Sequence, residues 1–376
     1  MRSDPFEFFR GTVHLYWEDW AQRASRLPKS PTVWACGDLH LENFGTYLGD
    51  NRLVYFDIND FDEAALAPAT ADLTRLLASL RLAAGSLHLD DPEAAELSEG
   101  LLVAYCDALA TGKARWVERP TARGMVRDLL RTARDRNGRS LLDRRTVVED
   151  GRRRLRTDDE RAEALAPRER AAVAQHLAEF VESIARTDDD AKFYRLIDVA
   201  ARVAGVGSLG LRRYVALVRG HGGENGRVVL DIKQVRPSCL AKHVGLAQPT
   251  WASDAHRVVG IQSRMQAISP ALLAPLTFGR ANYVLRELQP TEDRLALARW
   301  DGKLSRLRRV VVTMGEALAW AQVRSASREG AAGIDALIEF GRAHSWREPV
   351  LEYARLYAGK TVRYWREFKQ SLLGSG

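Results

Sequence analysis

The chain has 376 residues, 46% hydrophobic and 28% charged, with a mean hydropathy of −0.28, which suits a folded body of two or three domains, or of two lobes. No apolar run approaches a membrane span, and MRSDPFEFFRG at the start lacks the apolar stretch of a secretion signal, so a cytoplasmic setting with no membrane partner is expected. The net charge of +7 is carried mostly by arginine and reads as compositional bias rather than specific nucleic-acid binding, while Cys36, Cys106 and Cys239 lack the CxxC spacing and even count of a zinc or disulfide framework.

Phe6, Phe8, Phe9, Tyr16, Trp17 and Trp20 open the chain as an aromatic, helical segment that packs on the body, ended by Pro28 and Pro31. The stretch that follows, Thr32 to Glu63, alternates short apolar pieces with acids and amides. Thr32–Ala35 and Leu53–Phe56 read as strands, with a turn at Asp50-Asn51. Asp38, His40, Asn43, Asp57, Asp60 and Asp62 therefore gather where two strands or their loops converge. Burying that many acids without a cation is costly, which points to a divalent metal and a phosphate ligand; the same residues also fit a surface hairpin whose acids face water.

Leu73, Leu76, Leu77 and Leu80 recur at helical spacing with Asp72 in the first turn, and a second helix is expected over Glu93–Ala110. From Arg115 to Asp190 the chain is charged and interrupted. Helices fit Thr121–Ala133 and Pro167–Ala185, and the basic run Gly151–Arg156 reads as a solvated face without chemistry. At Phe193 the pattern turns to β. Gly205, Gly207, Ser208 and Gly210 lie between two strand-like runs. Tyr214–Val218 is a strand rather than a helix, which argues against a dinucleotide fold. One strand later comes Lys233, a compact positive charge suited to phosphate. A helix over Ser253–Ile268, a strand over Asn282–Leu288 that includes Glu287, a helix over Arg306–Ser325 and an aromatic helical tail over Ala332–Lys369 complete the chain.

The strings GDLHLENFG, YFDINDFDEA and ADLTRL resemble the bacterial family DUF2252, and the GDLHxxN core resembles the catalytic loop of aminoglycoside phosphotransferases and, more remotely, of protein kinases. That resemblance implies an α+β, protein kinase-like two-lobe fold in circularly permuted order. Residues 1–191 would begin a large helical lobe, 192–290 would form a small antiparallel β lobe that binds nucleotide, and 291–376 would complete the large lobe. It implies ATP and Mg²⁺ as cofactors. Asp38 is then the catalytic aspartate, with His40 on the loop or facing substrate, and Asn43 and Asp57 hold the metal, with Asp60 competing for the second place. Gly205, Gly207, Ser208 and Gly210 cover the phosphates, Lys233 grips them, and Glu287 and Leu288 form the strand end that contacts adenine. Asp72 supports the catalytic loop from below. The helix over Ser253–Ile268 has no glutamate to pair with Lys233, so that ion pair is either supplied from elsewhere or absent.

The expected function is ATP-dependent phosphorylation of a hydroxyl on a small molecule or protein. Two other readings stay open: a nucleotide-binding, pseudokinase-like regulatory protein, and a two-metal phosphoesterase.

Overall fold

The computed structural model describes residues 1–23, 27–135, 138–157, 161–185, 187–203, 210–289 and 294–373. Helices α1 (Pro5–Gly11) and α2 (Val13–Arg23) precede β1 (Thr32–Ala35), β2 (Phe44–Leu48), β3 (Val54–Ile58) and β4 (Ala65–Pro68). Next come α3 (Thr70–Ala83), α4 (Asp91–Thr111), β5 (Val117–Glu118), α5 (Gly124–Asp135) and α6 (Gly138–Arg145). The arginine-rich segment forms β6 (Thr146–Glu149), β7 (Arg152–Leu155) and β8 (Ala162–Glu163), followed by α7 (Pro167–Ile184) and α8 (Asp188–Phe193). Strands β9 (Leu196–Arg202), β10 (Arg213–Val218) and β11 (Val228–Val235) lead to α9 (Cys239–His243) and α10 (Asp254–Met265). The chain closes with β12 (Ala274–Phe278), β13 (Ala281–Glu287), α11 (Leu304–Arg324), α12 (Ile334–Arg342) and α13 (Arg347–Leu373).

Local chemistry sets several of these ends. Asp4 accepts the Glu7 N–H at 2.9 Å, with Pro5 in the first turn of α1. Asp90 and Glu93 form a reciprocal capping box at the start of α4, and Gly112, at φ +62°, ends it. Ser253 caps α10 by accepting from the His256 N–H.

Among the described residues the strands form small antiparallel sheets: β1 with β4, β2–β3–β5, β6 with β7, and a six-stranded sheet in the order β12-β13-β11-β10-β9-β8. Side chains alternate across that larger sheet. Leu230 and Ile232 of β11 pack with Tyr214, Ala216 and Leu285 under Val173 and Leu177 of α7. Val229 faces the opposite way, with Ala200, Val215 and Leu217, and is covered by Leu142, Leu155 and Ala162. Asp231 and Lys233 share this second face by register, Asp231 opposite Val215 and Lys233 opposite Arg213.

The expected protein kinase-like two-lobe architecture in permuted order is corrected here. The chain is an α+β fold with several small sheets, and the six-stranded sheet, besides the apolar clusters on its two faces, also shares the core of the helices. Val235 of β11, Val284 of β13 and Ala255, Val258, Ile261 and Met265 of α10 belong to the same apolar core as α3, α4 and α11. Side chains cross the expected divide as well: Arg52 pairs with Glu287 at 2.6 Å, and Gln266 Nε2 donates to the Ile58 carbonyl at 2.6 Å. In the run Gly151–Arg156, read as a solvated face, Arg152 and Arg154 are exposed and Leu155 alone is buried, packed with Leu142 and Ala162 against the six-stranded sheet.

Candidate functional site

The loop between β1 and β2 is held from beneath. Asp72, in the first turn of α3 and fully buried, accepts the Cys36 N–H at 2.7 Å and the Gly37 N–H at 3.0 Å. Trp17 Nε1 donates to the Gly37 carbonyl at 2.9 Å. Gly37 adopts φ +84°, and a Cβ there would stand 2.2 Å from the Glu63 carbonyl oxygen, so only glycine lets this loop and the one after β3 pass so closely.

These contacts present Asp38 to Arg75, one turn along α3 from Asp72. Arg75 Nε donates to Asp38 Oδ1 at 2.9 Å and Nη2 reaches the same oxygen. The guanidinium is wholly buried, 3.9 Å from the Phe9 ring centroid and 4.9 Å from that of Tyr16. Burial drives the Asp38 carboxyl up to about 7 although Arg75 opposes the rise, and Asp60 and Glu63 add to it.

His40 is buried and caps the short 3-10 turn Leu41–Asn43, its Nδ1 accepting the Glu42 N–H at 3.2 Å. Burial, with Arg10, Arg75 and Arg294 nearby, lowers its pKa well below the usual imidazole value. It is therefore a neutral ring with the proton on Nε2. Asn43 Nδ2 donates to the Asp38 carbonyl, and the Asn43 carbonyl accepts the Asn59 N–H at 2.8 Å.

Asp57 lies near the end of β3 and is buried. Its Oδ2 meets Arg324 Nη2 of α11 at 2.8 Å and its Oδ1 accepts the Ile58 N–H at 2.9 Å. Burial raises its pKa against the pull of Arg324. The next loop turns toward the six-stranded sheet. Lys233 Nζ stands 2.5 Å from Asp62 Oδ2 and 3.7 Å from Asp60 Oδ2. Burial works against the ammonium, yet the two carboxylates together raise its pKa. Arg257 of α10 fixes this loop through the Ala64 carbonyl at 2.6 Å and the Asp62 and Arg236 carbonyls, each at 2.9 Å. Ser238 Oγ donates to the Glu63 carbonyl at 2.7 Å, and the Cys239 N–H to Glu63 Oε2 at 2.5 Å.

The structure thus joins Asp60 and Asp62, on the loop after β3, to Lys233 of β11, passes that loop close to the one that carries Asp38 and Asn43, and leaves Asp57 deeper, on Arg324. The partner of Lys233 comes from the loop after β3. Gly205, Gly207 and Ser208 lie outside the described residues. Gly210 adopts φ +78° and its carbonyl accepts from Arg236 Nη2 at 2.9 Å. Arg75, Arg257 and Arg324 were hidden in sequence by the general excess of arginine. Only Arg75 carried a signal, three residues after Asp72 and hence on the same helical face.

The expectation of Mg²⁺ at Asn43, Asp57 and Asp60 is corrected. Among the described residues no group of three or more His, Cys, Asp or Glu side chains is disposed to hold a metal ion. The acids face fixed cations instead, Arg324 at Asp57 and Lys233 at Asp60, while the Asn43 amide is turned to a carbonyl. ATP is likewise unsupported. The N–H groups of Glu287 and Leu288 donate to the Ala271 carbonyl at 2.9 Å and the Val229 carbonyl at 2.8 Å, so neither is left for adenine. The cavity beside Leu288 measures about 10 Å³, room for one water-sized sphere and far short of a nucleobase.

Residues 1–371 match the DUF2252 family, described as an uncharacterized protein conserved in bacteria, and the chain belongs to that family. No curated protein matches the chain, and no solved structure does. No helix among the described residues is long and apolar enough to cross a membrane.

Proposed function

We propose that the chain transfers a phosphoryl group from a phosphorylated donor to a hydroxyl on a small molecule or protein, at the loops that join Asp38 to Lys233. The observation that carries this reading is the meeting of Lys233 with Asp62 and Asp60, which sets a partly buried cation against the loop that passes close to Gly37, next to Asp38. In the reaction the acceptor hydroxyl gives its proton to the Asp38 carboxylate as its oxygen bonds to phosphorus. The bond from phosphorus to the donor's leaving oxygen breaks, and Lys233 neutralises the charge that gathers there. An incoming phosphate oxygen exchanges with Asp60, the more distant partner of the ammonium. Because Arg75 fixes Asp38 and Asp72 fixes its loop, these groups need little rearrangement. A cytoplasmic setting goes with the reading, since none of the three cysteines is disulfide bonded.

One observation favours a second reading. The grip of a fully buried arginine on Asp38 suits a protein that binds a phosphorylated ligand without transferring it. Purified chain incubated with phosphoanhydride and phosphoester donors and a hydroxyl-bearing metabolite pool, followed by mass spectrometry, tests the first reading. Phosphorylated acceptor that disappears with Asp38→Asn supports transfer; saturable donor binding with no product supports the second reading.

A further inference from the structure

The cleft between α4 and α11 has no part in that chemistry. Glu96 meets Arg308 at 3.3 Å, Gly315 lies against Leu101, and the Tyr105 hydroxyl donates to Gln322 Oε1 at 2.6 Å. Residue numbers rise together along both helices in these contacts, so α4 and α11 run parallel. They touch at Gly315, where a Cβ would stand 2.4 Å from the Leu101 carbonyl oxygen. Beside that contact they leave a cleft of about 480 Å³, within the roughly 300–1,000 Å³ of small-molecule sites.

Val103, Ala104, Val312 and Trp320 supply apolar lining, and Glu99, Asp107 and Glu316 line the same cleft. Among the described residues none of these three carboxylates makes an ion pair or a hydrogen bond. Half-burial raises the Glu316 pKa, with Arg123 and Arg115 opposing the rise. With Glu96 the cleft sets four carboxylates against the guanidinium groups of Arg115 and Arg308, an excess of two negative charges on a chain whose net charge is +7. Glu99 and Asp107 stand eight residues apart on one face of α4, about 12 Å along its axis. Val103 sits midway and is 48% exposed. Glu316 follows the Gly315 contact with Leu101, so it enters from α11 between those two levels. Acids therefore recur along the cleft with open methyl groups between them.

We propose that this cleft binds a linear aliphatic polyamine, its ammonium groups at Glu99, Glu316 and Asp107 and its methylene chain over Val103 and Val312. Spacing makes the choice. A metal ion needs ligands that converge on one point, and among the described residues no three acids do so. Carboxylates strung along an apolar lining match a ligand in which charge and methylene alternate. Each exposed pair is weak by itself, so affinity comes from several ammonium groups joined in one molecule. The site does not depend on the transfer reading.

Titration calorimetry of the full chain with spermidine at low ionic strength tests it. The expected result is saturable binding of one equivalent, with butylamine, a single ammonium on a similar chain, weaker by about tenfold or more. Spermidine affinity should fall by about tenfold or more in the Asp107→Asn/Glu316→Gln double variant, as two lost charge-assisted contacts predict. Absence of saturable binding overturns the proposal, as do butylamine binding equal to that of spermidine and an affinity untouched by the double substitution. Displacement of spermidine by Mg²⁺ beyond that produced by sodium chloride of equal ionic strength would reduce the site to counter-ion attraction and overturn it too. Carbodiimide coupling of spermidine to the unaltered chain, mapped by mass spectrometry, is independent of the variant's folding. Amide formation at Glu99, Asp107 and Glu316 that saturates while other surface carboxylates stay unmodified supports the site, and even labelling across the surface sinks it.

Discussion

Lys233 Nζ stands 2.5 Å from Asp62 Oδ2, pairing the middle of β11 with a loop 171 residues earlier in the chain. That contact joins the six-stranded sheet to the acidic loops and gives the transfer reading its cation. The lysine is 12% exposed, and Asp62 26%. Replacing Lys233 by Met should leave two carboxylates facing each other and cost about 1–3 kcal/mol, toward the lower end for a partly wetted pair. It should also lower phosphoryl transfer by about a hundredfold or more. Lys233→Met/Asp62→Asn should recover stability in urea but not activity. Full activity in the single variant would remove Lys233 from the mechanism.

Asp38 predicts a pH dependence. As a base it works ionised, so kcat/KM should climb with pH through a limb near 7. For stability the sign is opposite. The folded value, about 7, exceeds the unfolded 3.8, so the native state holds this proton more tightly. The contribution is complete below 3.8 and is lost as pH rises to about 7. Arg75 lowers the carboxyl's pKa, so Arg75→Met should move the limb to higher pH, measured on protein whose near-ultraviolet circular dichroism remains native. An unshifted limb would separate Arg75 from the titrating group.

Arg324 and Asp57 form a buried pair at 2.8 Å, 14% and 4% exposed. Arg324→Met should destabilise by about 3–5 kcal/mol because the carboxylate loses its counter-charge. The loss should be smaller at acidic pH than at pH above neutrality, since burial already raises the Asp57 pKa and a protonated acid needs no partner. Adding Asp57→Asn should restore most of the stability. Guanidinium denaturation across pH reads both effects, and a loss that does not vary with pH would argue for packing alone.

Gly37→Ala should be costly out of proportion to its size. Its Cβ would meet the Glu63 carbonyl at 2.2 Å in a backbone region that alanine avoids, so a loss of about 1–3 kcal/mol is expected from strain alone. Because Asp38 is the next residue, transfer should fall as well. A fully active, equally stable variant would show that the two loops are not tightly registered.

Much of the secondary structure was legible in the sequence because its signals are local. Runs of β-forming residues mark β1, β10 and β11; leucine spacing marks α3; and the serine before α10 and the proline opening α7 mark their starts. The cluster of acids from Asp38 to Asp62 was legible too, since no ordinary core carries such a density of carboxylates and amides. The β6–β7 hairpin was not. Its run of arginines before Leu155 reads as a solvated face until the opposing sheet face supplies something for Leu155 to cover.

What the acids are paired with was decided in three dimensions. The residues themselves state that buried carboxylates require positive partners, but a metal ion and a guanidinium satisfy that demand equally well on paper. Only the folded chain shows Arg75 arriving beside Asp38, Arg324 beside Asp57 and Lys233 beside Asp62, because each cation comes from an element whose position is set by apolar packing rather than by its distance along the chain. Charge demand is a property of composition, whereas which charge answers it depends on how helices and sheets stack.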